Sequence, residues 1–199
     1  MSYTREHLQE TVAILERLDV AAIEAMVTLL ASIKAQGGRI FFLGVGGSAG
    51  NCSHAVNDFR KLLGIECYTP TDNVAELTAR INDDGWESAF VEWLKVSRLS
   101  GRDAVFVLSV GGGSTEQGIS LNLVAAVDYA RNVGAKVLGI LGRDGGHTAR
   151  LADAAVVIPT VNPQAVTPHC EALQAVIWHL LVSHPRLGPH EAKWEATTR

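Results

Sequence analysis

The 199-residue sequence is short of cysteine, of aromatic side chains and of net charge, and each shortage excludes a class of protein. Its three cysteines, Cys52, Cys67 and Cys170, are widely spaced and form no CxxC pair. That excludes a disulfide framework and a structural thiolate zinc site, and it suits reduced thiols in a cytoplasmic chain. Seventeen Lys and Arg against 21 Asp and Glu leave a net charge of −4. There is no basic excess to hold nucleic acid or an anionic membrane, although a local basic pocket for one phosphate group remains compatible. No apolar run reaches the roughly 18 residues of a membrane span. The polar opening Met1–Glu6 carries no signal-peptide pattern, so no membrane partner and a cytoplasmic location are expected.

What is present is aliphatic and glycine-rich: 47% hydrophobic residues, 19% charged ones and 19 glycines. This is not the composition of a disordered chain. The length suits one domain, read as residues 1–37 of N-terminal helices, 38–184 of α/β core and a 185–199 tail. Apolar residues from Leu8 to Ile33 recur at three- and four-residue steps until Gly37-Gly38, which predicts two helices. Four continuously apolar runs follow, at 39–43, 104–108, 136–141 and 154–158, with a weaker one at 65–68. Unbroken apolar runs are the mark of strands covered on both faces. Helical patterns lie between and after them, at 50–62, 72–80, 85–98, 114–133 and 168–183. The expected fold is an α/β three-layer sandwich, a Rossmann-like parallel sheet of about five strands preceded by a helical pair.

Ligands bind such sheets at the carboxyl ends of the strands. Two of those ends carry unusual loops, Gly44-Val45-Gly46-Gly47-Ser48 and Ser109-Val110-Gly111-Gly112-Gly113-Ser114-Thr115. Glycines allow close backbone approach to an anion, and hydroxyls add donors without charge. The second loop has the form of a monophosphate cradle. Neither has the spacing of a dinucleotide fingerprint or a Walker loop, so no nucleotide cofactor is expected.

In these loops the chain resembles the sugar isomerase (SIS) domain family, and within it the phosphoheptose isomerases. The family's Gly-Asn-Gly-Gly-Ser stands as Gly44–Ser48 and its Ser-Thr-Ser-Gly-Asn-Ser as Ser109–Ser114. Its Gly-Asn-Asp is similar to Ile81-Asn82-Asp83, its Gly-Lys-Asp-Gly-Gly to Gly142–Gly146, and its last-helix Thr-Pro to Thr167-Pro168. The family's catalytic helix carries His-x-x-x-Glu, and its last helix a Gln and, eight residues on, a His. The matching positions hold His54, Asp58, Glu171 and His179, so Asp replaces Glu and Glu replaces Gln. Gly111 and Val45 also replace donors of the family pattern.

Read from the residues alone, His54 and Asp58 at i and i+4 share a helical face, where they can bind one divalent ion or form an acid–base pair. Glu171 and His179 lie about 12 Å apart along a helix, so both reach one ion only by leaning together. The resemblance implies an aldose–ketose isomerase acting through an enediol on a phosphorylated sugar. It also implies a homotetramer with sites at subunit interfaces. The substrate expected is sedoheptulose 7-phosphate, converted to D-glycero-D-manno-heptose 7-phosphate. Asp58, Glu171 and His179 would do the proton chemistry. A divalent ion, zinc by its donors, would sit on His54, Asp58, Glu171 and His179. Ser48, Asn82, Asp83, Ser109, Gly111, Ser114 and Thr115 would hold the sugar phosphate. The alternatives are a non-catalytic SIS-domain adaptor, of the kind that associates with a replication initiator, and a sugar-phosphate sensor.

Overall fold

The computed structural model describes residues 2–188. Two helices, α1 (Tyr3–Leu15) and α2 (Val20–Ala35), precede β1 (Ile40–Leu43) and α3 (Gly47–Leu63). The chain continues through β2 (Cys67–Tyr68), a 3-10 turn, α4 (Val74–Asp84), α5 (Ala89–Val96), β3 (Ala104–Ser109) and α6 (Leu121–Asn132). It ends with β4 (Lys136–Leu141), α7 (Gly146–Leu151), β5 (Ala154–Val157) and α8 (Val166–Val182). The five strands are all parallel, in the order β2-β1-β3-β4-β5.

Strand alternation distributes the core to both sheet faces. Ile40 and Phe42 of β1 join Phe59 of α3, Leu30 of α2 and Trp178 of α8 on one side. Phe41 and Leu43 join Phe90 of α5 and Leu123 of α6 on the other. Every residue of β1 and β3 is buried, the pattern that unbroken apolar runs predict. The strand order reverses direction of growth between β1 and β3, and loops at such a switch point open a crevice at the carboxyl edge.

Two helix boundaries differ from the sequence reading. Residues 114–120 are not helical: Ser114 and Ile119 pair as an antiparallel bridge, and α6 starts only at Leu121. The Ser114 hydroxyl accepts the Gln117 N–H at 3.2 Å, a local turn that competes with helix formation. α5 starts at Ala89, not near 85, because Gly85 takes φ +86° and ends α4. The short α7, which begins at the last glycine of the Gly142–Gly146 region, has too few residues to show a period.

The opposite, amino edge is tied by ion pairs, at Asp153 between β4 and β5 and at Asp103 between β1 and β3. Arg39 donates from Nε to Asp103 Oδ1 at 3.1 Å and from Nη2 to Oδ2 at 2.8 Å, joining the starts of β1 and β3. Ser100 N and Oγ also donate to Asp103 Oδ2. Burial alone would push the Asp103 carboxyl up, but the hydrogen bonds from Arg39 and Ser100 outweigh it and hold it below its ordinary range. The sign follows: this carboxylate stabilises the fold above the ordinary aspartate pKa, and that stability is lost as pH falls through the lowered folded value. Asp103→Ala is expected to cost about 3 kcal/mol at pH 7, and the deficit should shrink as urea melts are repeated toward acid pH.

Candidate active site

The loops after β1, β3 and β4 enclose a cleft of about 730 Å³, with Ser48, Ser109, Gly111, Ser120, Arg143 and Arg150 on its walls. Gly112 and Gly113 adopt left-handed φ of +68° and +82°. Their carbonyls turn into the start of α7, where Thr148 N and Oγ1 donate to Gly112 O and His147 N donates to Gly113 O. A trans peptide points N–H and C=O in opposite directions, so the Gly113 N–H faces away from α7. Among the described residues, the Gly111 and Gly113 N–H groups have no partner. The Ser109 hydroxyl, nearly buried, accepts the Gly112 N–H at 3.0 Å and keeps its own proton to donate. These are the parts of an anion cradle.

The 114–119 hairpin also returns the chain so that Ser120 lies against Gly113. Ser120, at φ +50°, is the N-cap of α6. Three described non-glycine residues have positive φ, and two of them, Ser120 and Arg143, line the cleft. Such backbone costs free energy and concentrates where ligands bind. Sequence reasoning missed Ser120, Arg143 and Arg150. The hairpin's turn residues, Glu116-Gln117-Gly118, were the available signal for Ser120. Ser114 lines the cleft, whereas Thr115 is exposed at the hairpin, and Asn82 and Asp83 are exposed at the end of α4, off the cleft walls. Arg60 is engaged elsewhere, donating to Cys67 O at 3.0 Å.

Helices α3 and α8 run side by side from the cleft. Gln174, fully buried, donates to Ser48 Oγ at 3.1 Å and accepts from Asn51 Nδ2 at 3.0 Å. Asn51 Nδ2 also donates to Glu171 O at 2.9 Å. This register brings Asp58 to both imidazoles: its Oδ2 lies 3.9 Å from His54 Nε2 and 3.7 Å from His179 Nε2. One ligand atom of each residue lies within 4.8 Å of the others, a group able to hold a metal ion. The outer atoms are held as well. Asn57 Nδ2 donates to Asp58 Oδ1 at 2.8 Å, and His179 Nδ1 donates to Ala175 O at 2.8 Å. With its proton on Nδ1, neutral His179 presents the Nε2 lone pair inward. Trp178, buried, lies under both rings, 4.6 Å from the His54 centroid and 3.5 Å from that of His179.

Glu171 is not in this group. Its carboxylate covers Gly47 at the start of α3, where any Cβ would collide with it. His147 pairs with Asp128, and His184 faces Glu24. His169 contacts α1 and does not line the cleft. His190 and Trp194 lie outside the described residues.

A parallel sheet with an anion cradle at its switch point and an acid–imidazole group on the adjoining helices defines a ligand-binding α/β domain equipped for proton transfer. Residues 3–142 match the SIS domain family, and the chain belongs to that family. It is 34% identical over 159 residues to the phosphoheptose isomerase of Chlorobium phaeobacteroides, covering 76% of this chain and 66% of that protein. It is 31% identical over 182 residues to the phosphoheptose isomerase of Chlorobaculum parvum, covering 88% and 81%. The fold matches the structure of phosphoheptose isomerase GmhA from Neisseria gonorrhoeae with a TM-score of 0.78 at 22% identity, over 90% of this chain and 94% of that one. No helix among the described residues is long and apolar enough to cross a membrane.

The three cysteines are buried. Burial pushes the Cys170 thiol up to about 12, and those of Cys52 and Cys67 are also pushed up by burial. Native protein at pH 8 is therefore expected to react with an aromatic disulfide reagent at none of the three, and at all three once unfolded in guanidinium. Fast labelling of the native chain would contradict this arrangement.

Proposed function

We propose that this chain is an aldose–ketose isomerase of a phosphorylated sugar, with sedoheptulose 7-phosphate as substrate and D-glycero-D-manno-heptose 7-phosphate as product. The observation that carries the reading is Asp58 held between two imidazoles on the same helix that begins at the anion cradle. At about 1.5 Å per residue, His54 lies about 9 Å and Asp58 about 15 Å along α3 from Ser48. An extended seven-carbon chain with a terminal phosphate comes far closer to spanning that separation than a triose phosphate does. The relatives named phosphoheptose isomerase support the same substrate class.

In this reading Ser109, Ser120 and the Gly111 and Gly113 amides hold the phosphate, with Ser48 and Ser114 beside the sugar chain. Asp58 removes the proton from the carbon next to the carbonyl, giving an enediol, and returns it to the neighbouring carbon. His179 Nε2 moves the hydroxyl proton between the two oxygens. Two imidazoles and a carboxylate suit zinc, and a bound ion would supply Lewis-acid stabilisation of negative oxygen. Glu171, at the cradle end of the helix pair, is a second carboxylate within reach of the sugar; it joins the triad only by turning off Gly47. A non-catalytic adaptor or sensor would need none of this acid–imidazole set.

The test is exchange of the carbon-bound proton of sedoheptulose 7-phosphate with heavy water. Asp58→Asn and His179→Ala should each slow exchange by about 10²–10⁴-fold while leaving substrate affinity within a few-fold. Wild-type exchange in both variants would remove the site; binding without any exchange in the wild type would favour the sensor.

The reading extends to a homotetramer. His54 and His179 are about half exposed on one chain, with Val176 and Leu180 uncovered beside His179. On α1, Leu8, Val12 and Leu15 form an exposed apolar stripe. A second copy on these faces would close the site. Light scattering at micromolar concentration is expected to report four chains, and Leu8→Glu with Val12→Glu to lower that number; a wild-type monomer would refute the assembly.

A further inference from the structure

A second cluster of metal-ligating side chains lies away from the triad, on the opposite end of α8, and the isomerase reading makes no use of it. We infer that His7, Glu10 and His169 form a second divalent-cation site, zinc by its donors, that fastens α1 to the core. One ligand atom from each of the three lies within 4.8 Å of the others. His7 and Glu10, three residues apart, share one face of α1, and His169 comes from the first turn of α8. The His7 and His169 rings stack at 4.3 Å with 15° between planes, which holds the two imidazoles together.

The outer atoms of this cluster are held in the way that metal ligands are held. Asn162 Nδ2 donates to Glu10 Oε1 at 2.8 Å, which leaves Oε2 directed at His169. Thr11 Oγ1 gives its proton to His7 O at 3.0 Å, so toward His169 Nδ1, 3.4 Å away, it offers a lone pair. His169 Nε2 meets Glu10 Oε2 at 2.8 Å, a hydrogen bond whose place a metal ion would take. A proton bridges that pair when no metal is bound, and zinc is the cation that would also engage His7. Ligand atoms around tetrahedral zinc stand about 3.3 Å apart, so Glu10 and His169 would separate by roughly half an ångström.

The surroundings indicate a structural role. His169 is almost wholly buried and Glu10 about one quarter exposed, so water can fill a fourth position. The cavity beside His169, about 10 Å³, is at the lower limit for one water and admits no substrate. The only residue of α1 that is buried is Ile14. With so little apolar anchorage, α1 depends on this polar cluster to stay docked.

The inference stands apart from the isomerase reading, and zinc stoichiometry separates them. Chelator-stripped protein is titrated with zinc and bound metal counted, in the wild type, in His54→Ala/His179→Ala and in His7→Ala/Glu10→Gln. Two ions per wild-type chain are expected, with each double variant losing one. The His54/His179 variant should still gain thermal stability on adding zinc, and the His7/Glu10 variant should not lose its remaining ion. Asn162→Ala, which removes the donor to the outer oxygen of Glu10, should weaken the second site by about 10–100-fold. His7→Ala keeps the Glu10–His169 contact, so its circular dichroism should remain native and its metal count interpretable. A single ion lost with His54 and His179, or a count indifferent to His7 and Glu10, overturns the second site. A single ion lost with His7 and Glu10 supports it and removes the metal from the triad instead.

Discussion

The arrangement of the candidate active site depends on one buried amide. Gln174 bonds to Ser48 and Asn51 of α3 at once, and so fixes how far along α8 each residue of α3 is matched. Without that register the two helices could slide, because the aliphatic contacts beneath them are non-directional. A buried amide losing its partners costs about 1–3 kcal/mol, so a slide by one turn is strongly disfavoured. Asp58 reaches His179 across the helix pair only in this register. The same amide also ties the triad to the cleft, since Ser48 stands at the cleft's wall and Asn51 holds the α8 backbone at Glu171.

The cleft is set by a different constraint, the close crossing of two backbones. The Gly112-Gly113 segment and the Gly145-Gly146 segment approach so nearly that a Cβ at Gly112 or Gly146 would strike the other strand of chain. That crossing turns two carbonyls toward α7 and leaves the Gly113 amide unpaired, facing away from it. The positive φ of Ser120 and Arg143 is held by the same neighbourhood. Stability is given up locally and recovered in the fully buried strands beneath, whose side chains fill both faces of the sheet.

Much of this was legible in the amino-acid sequence because its physics is local or periodic. The strands announce themselves as unbroken apolar runs, and His54 and Asp58 share a face by spacing alone. The 114–119 hairpin was not legible as such, since Ser-Thr-Glu-Gln is compatible with a helix start and its bridge depends on Ile119 returning to Ser114. α6 consequently starts at Leu121, with Ser120 at its N-cap position. The placement of Glu171 was hidden for a related reason: its side chain, on the second turn of α8, lies over Gly47, 124 positions away in sequence and adjacent in space. Arg143 lies within the Gly142–Gly146 motif, but nothing in that motif marks its side chain for the cleft, and Arg150 has no pattern; the folding of the β4 loop brings both there.

The shortened carboxylate at position 58 is best understood from its neighbours. An aspartate side chain is about 1.5 Å shorter than a glutamate's, and a displacement of about 1 Å can cost 10²-fold in rate. Here Asp58 Oδ2 stands at 3.7 and 3.9 Å from the two Nε2 atoms, beyond hydrogen-bond length to either. No direct hydrogen bond ties that oxygen to either ring, and the space between the three groups stays open for an atom that is not protein. Had the acid been one methylene longer from the same Cα, it would enter that space and bond one ring directly. Asn57 on Oδ1 and the Ala175 carbonyl on His179 Nδ1 keep the inward atoms from turning away. The short acid and its outer partners together make a gap of fixed size, and the gap, more than any single residue, is what a substrate oxygen or a cation would recognise.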